Sequence, residues 1–205
     1  AVAWILDQPA FGGGGSLYKA STLNASCSKT FFQPGQSGFD LFGMGFAANG
    51  PGSEDETLFV AGAGSSDFTT AYGGLASINF NGLKLNPIAK LQSGPGSPEL
   101  TGNGAGQLFG FYPSSSPPSV RQIVKTNGGT GKIWPLPGNV LSNVQAWAFA
   151  QWGGGFYLFF KSQSASASAV HRLDGPSGKM VTVIPNTGHV IVGAGVSSCA
   201  PTKLE

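Results

Sequence analysis

The apolar residues of this chain gather in short strand-like runs separated by Gly, Ser, Pro and Asn, and the runs recur in a fixed order. Four are aromatic or β-branched: Val2–Leu6 (V-A-W-I-L), Thr57–Ala61 (T-L-F-V-A), Gln107–Phe111 (Q-L-F-G-F) and Phe156–Phe160 (F-Y-L-F-F). Each leads through a Gly/Ser/Pro-rich loop to a second run, at Leu17–Ser21, Leu75–Asn79, Val120–Lys125 and Ala169–Leu173. A turn carrying Asn24, Asn81, Asn127 or Asp174 comes next, then a third run at Ser28–Phe32, Lys84–Leu91, Lys132–Leu136 and Met180–Ile184. Three of the turns read Asn-Gly or Asp-Gly, pairs that accept the positive φ of a tight hairpin.

A fourth kind of run precedes the aromatic one. Asp40–Phe46 (D-L-F-G-M-G-F), Glu99–Gly104, Gln145–Ala150 and Val190–Val196 (V-I-V-G-A-G-V) are rich in small residues and follow matching loops such as Gln33-Pro34-Gly35 and Leu136-Pro137-Gly138. The turn residues are spaced by 57, 46 and 47 residues. Units of four strands at this spacing are those of a β-propeller blade. In such a ring the small-residue strand lines the axis, where neighbouring backbones crowd. Gly inside a strand costs stability and calls for a reason of that kind.

The last small-residue run has no aromatic run after it, and the first aromatic run has none before it. The expected fold is therefore all-β, a propeller of four four-stranded blades in one domain over residues 1–202, closed by pairing of Val190–Val196 with Val2–Leu6. A β-sandwich accounts for the strands but not for four matched copies, one of them split. Cys27 and Cys199 fall near opposite ends of the chain and, with this wiring, on one face. In an oxidising compartment they are expected to form a bridge that staples the closure; the other reading is two unrelated thiols. Lys203-Leu204-Glu205 resembles a cloning scar and is set aside.

The stretches F-G-M-G-F-A-A-N-G, W-A-F-A-Q-W-G-G-G-F-Y-L-F and I-V-G-A-G-V-S-S-C-A-P resemble uncharacterised secreted or lipid-anchored β-propeller-type repeat proteins of myxobacteria and relatives. The resemblance covers most of the chain, its motifs are structural, and no activity comes with it. It implies a further blade-like segment upstream, which keeps open a part of a five-bladed ring, or a structural subunit of a larger propeller.

Composition narrows the partners. Charged residues make up 10% of the 205, Gly supplies 33 and Pro 14, and the net charge is +2. Low charge with abundant Gly and Ser suits an extracellular all-β domain, secreted, periplasmic or at the cell surface, with any signal peptide already removed. No Lys/Arg cluster exists, so nucleic acid is an unfavoured partner, and no apolar run approaches the roughly 18 residues of a membrane span. A monomer of 20.9 kDa is expected.

Catalytic signatures are scarce. The sequence holds no G-x-S-x-G and no H-E-x-x-H, Gly131-Lys132 is followed by Ile133 rather than Ser or Thr, and the only imidazoles are His171 and His189. No cofactor is expected. The one acidic run, Glu54-Asp55-Glu56, offers at most weak calcium binding, and a solvated turn is the plainer reading.

Alignment of the inner runs gives the first candidate site. Asp40, Glu99 and Gln145 start their strands and His189 precedes the fourth, so all four would ring one mouth of the channel and bind a polar ligand. A second candidate uses the loops of that face, where Asp67, Phe68, Tyr72 and Tyr112, with Trp147 or Trp152 if exposed, would offer aromatic platforms to a sugar; for most of these rings the apolar neighbours favour the core. The sequence thus points to a non-enzymatic module for a glycan or a protein surface. The alternative is a glycan-active enzyme using Asp40 and Glu99, which needs carboxylates roughly 5–10 Å apart.

Overall fold

Fifteen strands form in the computed structural model, which describes residues 1–8, 14–63, 72–95, 97–137, 140–141 and 143–203. The first blade holds β1 (Val2–Asp7), β2 (Ser16–Ser21) and β3 (Cys27–Lys29). The second holds β4 (Leu41–Ala48), β5 (Glu56–Ala63), β6 (Tyr72–Asn79) and β7 (Lys84–Pro95). The third is β8 (Glu99–Gly102), β9 (Leu108–Tyr112), β10 (Ser119–Ile123) and β11 (Thr130–Pro135). The fourth is β12 (Val144–Trp152), β13 (Gly155–Ser162), β14 (Ala169–Asp174) and β15 (Met180–Ile184). Every blade is an antiparallel meander with strands in sequence order, so the small-residue strands β4, β8 and β12 are edges of their sheets. The fold is the all-β, four-bladed propeller expected from the repeat.

Apolar clusters between successive blades hold the array. Leu17 and Phe32 of the first pack with Phe42, Leu58, Val60 and Ile78 of the second. Ala47, Phe59 and Leu75 of the second pack with Leu100, Leu108 and Ile123 of the third. Phe109, Phe111 and Trp134 of the third meet Phe149, Phe156 and Leu158 of the fourth, with Phe109 and Phe156 edge-to-face at 5.0 Å. Strand alternation explains the sharing, since one parity of each strand faces the preceding blade and the other the following one.

At the axis the inner strands touch through backbone. A Cβ on Gly45 would stand 2.9 Å from the carbonyl oxygen of Leu100, and one on Gly102 would stand 2.2 Å from that of Phe46. At the rim, the outer strand of one blade or the turn after it bonds the hairpin turn of the next. Gln36 bonds Leu83 and Leu85 backbone, Gln92 N donates to Gly128 O at 2.9 Å, and Trp134 Nε1 donates to Gly175 O at 2.7 Å.

The seam between the fourth blade and the first differs from the expected closure. Among the described residues the 190–196 run joins no sheet, so the first blade has three strands and β1 pairs on one side alone. Among the described residues no buried apolar cluster spans this seam. Val190 and Val192 are 51% and 71% exposed, and a Cβ on Gly193 or Gly195 would meet nothing within 4 Å.

Cys27 and Cys199 are both free and exposed, contrary to the expected bridge. Strand spacing gives the reason. Cys27 opens β3, which even in a completed first blade would lie three spacings, roughly 14 Å, from the inner strand that leads to Cys199. A disulfide needs Cα atoms no more than about 6.8 Å apart.

Candidate functional site

Where the fourth inner strand was expected, a cavity of about 980 Å³ opens instead. Its walls are β1 on one side, β4 and β8 on another, and residues 192–198 on a third. The volume is at the upper end of the range of small-molecule sites. Gln8 pins the wall together: its Nε2 donates to Phe42 O at 3.0 Å and its Oε1 accepts from Phe42 N at 3.2 Å, tying the end of β1 to β4.

The lining is mostly apolar, and three of its rings form a continuous surface. Phe80 lies 4.7 Å from Trp4 and 6.2 Å from Phe46, centroid to centroid. Phe80 is 42% exposed because it sits at the β6–β7 turn rather than within a strand. Lys19 Nζ stands 4.6 Å above the Trp4 ring, on the strand paired with β1. Its charge stays at the rim of the aromatic surface.

Glu99 is the carboxyl set apart by its surroundings. It begins β8, where Pro98 and the missing Cβ of Gly43 bring the β4 and β8 backbones together. It lines the cavity and, among the described residues, its carboxyl has no hydrogen bond or ion pair. Burial pushes its carboxyl up to about 7, because nothing nearby compensates the lost hydration of the anion. Near neutral pH it is therefore present in both protonation states and can donate or accept a hydrogen bond. Thr101, two residues on, is occupied otherwise: its Oγ1 accepts from the buried amide of Gln151 on β12 at 3.1 Å.

The structure brings only one of the four channel-mouth candidates to this cavity. Asp40 precedes β4 outside the lining, with its Oδ1 against the Gly35 turn. Gln145 falls at a register shift between Val144 and Ala146; this bulge leaves it on the surface, where Lys161 Nζ donates to its Oε1. His189 is exposed beyond the cavity, its backbone carbonyl accepting from Ser168 N at 2.8 Å. Strand bulges and free ends break the equivalence on which the ring of four rested.

The loop candidates also separate. Asp67 and Phe68 lie outside the described residues, and Tyr72 begins β6, paired with Pro95. Tyr112 is 2% exposed with Arg121 over its ring at 4.9 Å, so it is core and not a platform. Trp147 packs against the third–fourth blade cluster, whereas Trp152 is exposed and meets Tyr157 edge-on. The acidic run does not act as a unit: Glu56 reaches the cavity and accepts the Ser198 hydroxyl, and among the described residues no three potential metal ligands converge.

Trp4, Phe46 and Phe80 are the site residues that sequence reasoning missed. Each sits in an apolar run or beside one and reads as core. The one available signal was Phe80, an aromatic immediately before the Asn81-Gly82 turn, where a ring is displaced toward solvent.

No family model matches the chain, and no curated protein matches it. Solved structures do. An exo-β-1,3-galactanase variant from Phanerochaete chrysosporium with β-1,3-galactotriose matches 90% of this chain at 12% identity and a TM-score of 0.58. A second variant with the same trisaccharide and the enzyme with galactose match 89% at 12% identity, each with a TM-score of 0.57. At this identity the likeness is one of fold. The chain spans about half the length of the structures it matches, 50% and 48%.

Proposed function

We propose that this protein is a glycan-binding module, acting outside the cytoplasm as a monomer, whose site is the cavity between β1, β4 and β8. The observation that carries the reading is one surface joining the Trp4, Phe46 and Phe80 rings to an unpartnered carboxyl at Glu99. Aromatic faces pack against the C–H-rich face of a sugar ring, and a carboxyl with no protein partner supplies the hydrogen bond that orients hydroxyls. The small net charge and the absence of a cation cluster favour neutral over phosphorylated or sulfated sugars. The fold likeness to enzymes solved with galactose and β-1,3-galactotriose makes β-linked galactose oligomers the first ligands to try.

The protein on a glycan array should retain at least one neutral oligosaccharide. Trp4→Ala and Phe80→Ala should each weaken that binding about tenfold, near 1.4 kcal/mol. An array without a hit, or a hit indifferent to both substitutions, would remove the reading.

One observation favours a glycan-active enzyme: a carboxyl held near 7 suits a general acid. Among the described residues the one other carboxyl that lines the cavity is Glu56. Glu56 pairs through Ala48, five strand positions from the level of Gly43 and Glu99, roughly 17 Å at 3.4 Å per residue. That exceeds the 5–10 Å of two-carboxylate hydrolysis. Release of reducing sugar from a β-1,3-galactan, abolished by Glu99→Gln, would reverse the preference.

A further inference from the structure

The proposed site lies beside two unsatisfied pieces of one sheet. In β1, Ala1 O accepts from Thr22 N at 3.2 Å, which fixes the phase of the β1–β2 ladder. Ala3, Ile5 and Asp7 exchange bonds with β2, and the backbone N–H and C=O groups of Val2, Trp4 and Leu6 point to the free edge. The other side of the ladder agrees, since Leu17, opposite Leu6, gives its carbonyl to Thr30 of the outer chain at 2.9 Å. Across the cavity from this edge run residues 192–196.

That run is tied at both ends and free between them. Ile191 N donates to Ser168 Oγ at 3.0 Å and His189 O accepts from Ser168 N, on the face where β12 begins. On the opposite face Ser198 bonds Glu56, and Pro201 O accepts from Gly153 N at 2.8 Å. Among the described residues, 192–196 make no hydrogen bond to the rest of the protein. The anchors thus hold the run across the molecule in the direction of an inner strand, with a small-residue sequence, an exposed Val192 and open space at Gly193 and Gly195. Gly43 and Gly45, its counterparts in β4, are filled against β8.

We propose that residues 192–196 are a strap that adds to the free edge of β1 as the missing strand of the first blade and, by doing so, shuts the cavity. The open arrangement admits ligand; the closed one satisfies the edge groups of Val2, Trp4 and Leu6 and buries Val192. Ligand and strap then exclude one another, so strap closure sets the apparent affinity of the site. This last step rests on the glycan reading, whereas the strand addition does not.

Amide hydrogen exchange on the 205-residue chain without ligand tests the strand addition. Proline at position 193 or 195 removes a ladder donor and prevents pairing in a segment where a side chain has room. Gly193→Pro should speed exchange of the Trp4 and Leu6 amides about tenfold, leaving those of Ala3 and Ile5, which bond β2, unchanged. Gly195→Pro should do the same. Equal Trp4 and Leu6 exchange in wild type and both variants would overturn the proposal. So would loss of protection spread equally over Ala3 and Ile5. In a second arm, β-1,3-galactotriose at saturation should speed the same two amides in the wild type, and both proline variants should bind it more tightly. Tighter binding by neither variant would overturn the exclusion. A trisaccharide bound by no form of the protein would count against the glycan site, with the ligand-free arm still deciding the strap.

Discussion

Gly43 lies so close to Glu99 that a Cβ on the glycine would stand 2.7 Å from the glutamate's Cα, and 2.2 Å from the carbonyl oxygen of Pro98. The same contact brings the inner strands together and delivers the Glu99 carboxyl to the cavity. Gly43→Ala should therefore cost about 3 kcal/mol, because both obstacles are backbone and neither can rotate away. Gly193→Ala, at the corresponding place in the last run, should stay within about 0.5 kcal/mol. Urea midpoints of the two variants check the pair.

Glu99 should make stability fall as pH rises. Its folded-state value of about 7 lies above the ordinary 4.5, so the folded protein holds the proton more tightly than the unfolded chain. The stabilising contribution is complete below about 4.5, is lost as pH climbs through 7, and is gone above it. The difference is about 3 kcal/mol at 1.36 kcal/mol per pKa unit. Denaturant titrations from pH 5 to 8.5 should show this slope in the wild type and not in Glu99→Gln.

Thr101 is expected to matter through one bond. Its Oγ1 accepts from the buried Gln151 amide, joining β8 to β12 where no ladder does. Thr101→Val keeps the shape and leaves that amide unpaired, at a cost of about 1–3 kcal/mol, whereas Thr101→Ser should recover most of it. Thermal unfolding of the two variants separates the bond from the packing.

Both cysteines should react. Cys27 and Cys199 are free and exposed, so native protein without reductant should consume two equivalents of a thiol reagent. Consumption of none before or after denaturation would mean that the two are bridged, and would require the first blade to repack.

The sequence was most informative where a residue type answers a local demand. Gly45 and Gly102 stand in strands because a neighbouring backbone occupies the space of a side chain, and Gly128 combines a φ of 66° with the carbonyl of Lys90 2.3 Å from any added Cβ. The inner-strand demand recurs in the second and third blades, where the repeat is plainest. Gly193 and Gly195 have the same composition without the same neighbours. Composition shows that a strand could enter a tight slot, whereas occupation of the slot depends on a ladder that no local pattern records. The candidate site failed for a related reason. Aligning strand starts placed Gln145 beside Glu99, and a single-residue bulge removed it, while Trp4 and Phe46 looked like core because the cavity that exposes them arises from the absent ladder.

The location of bound sugar tests the account most directly. A crystal of the protein with the oligosaccharide best retained on the array should show a sugar ring against Trp4 and Phe80, with a hydroxyl within hydrogen-bond reach of Glu99. Sugar bound anywhere outside the space enclosed by β1, β4, β8 and residues 192–198, or a cavity filled by water alone at saturating ligand, would contradict it.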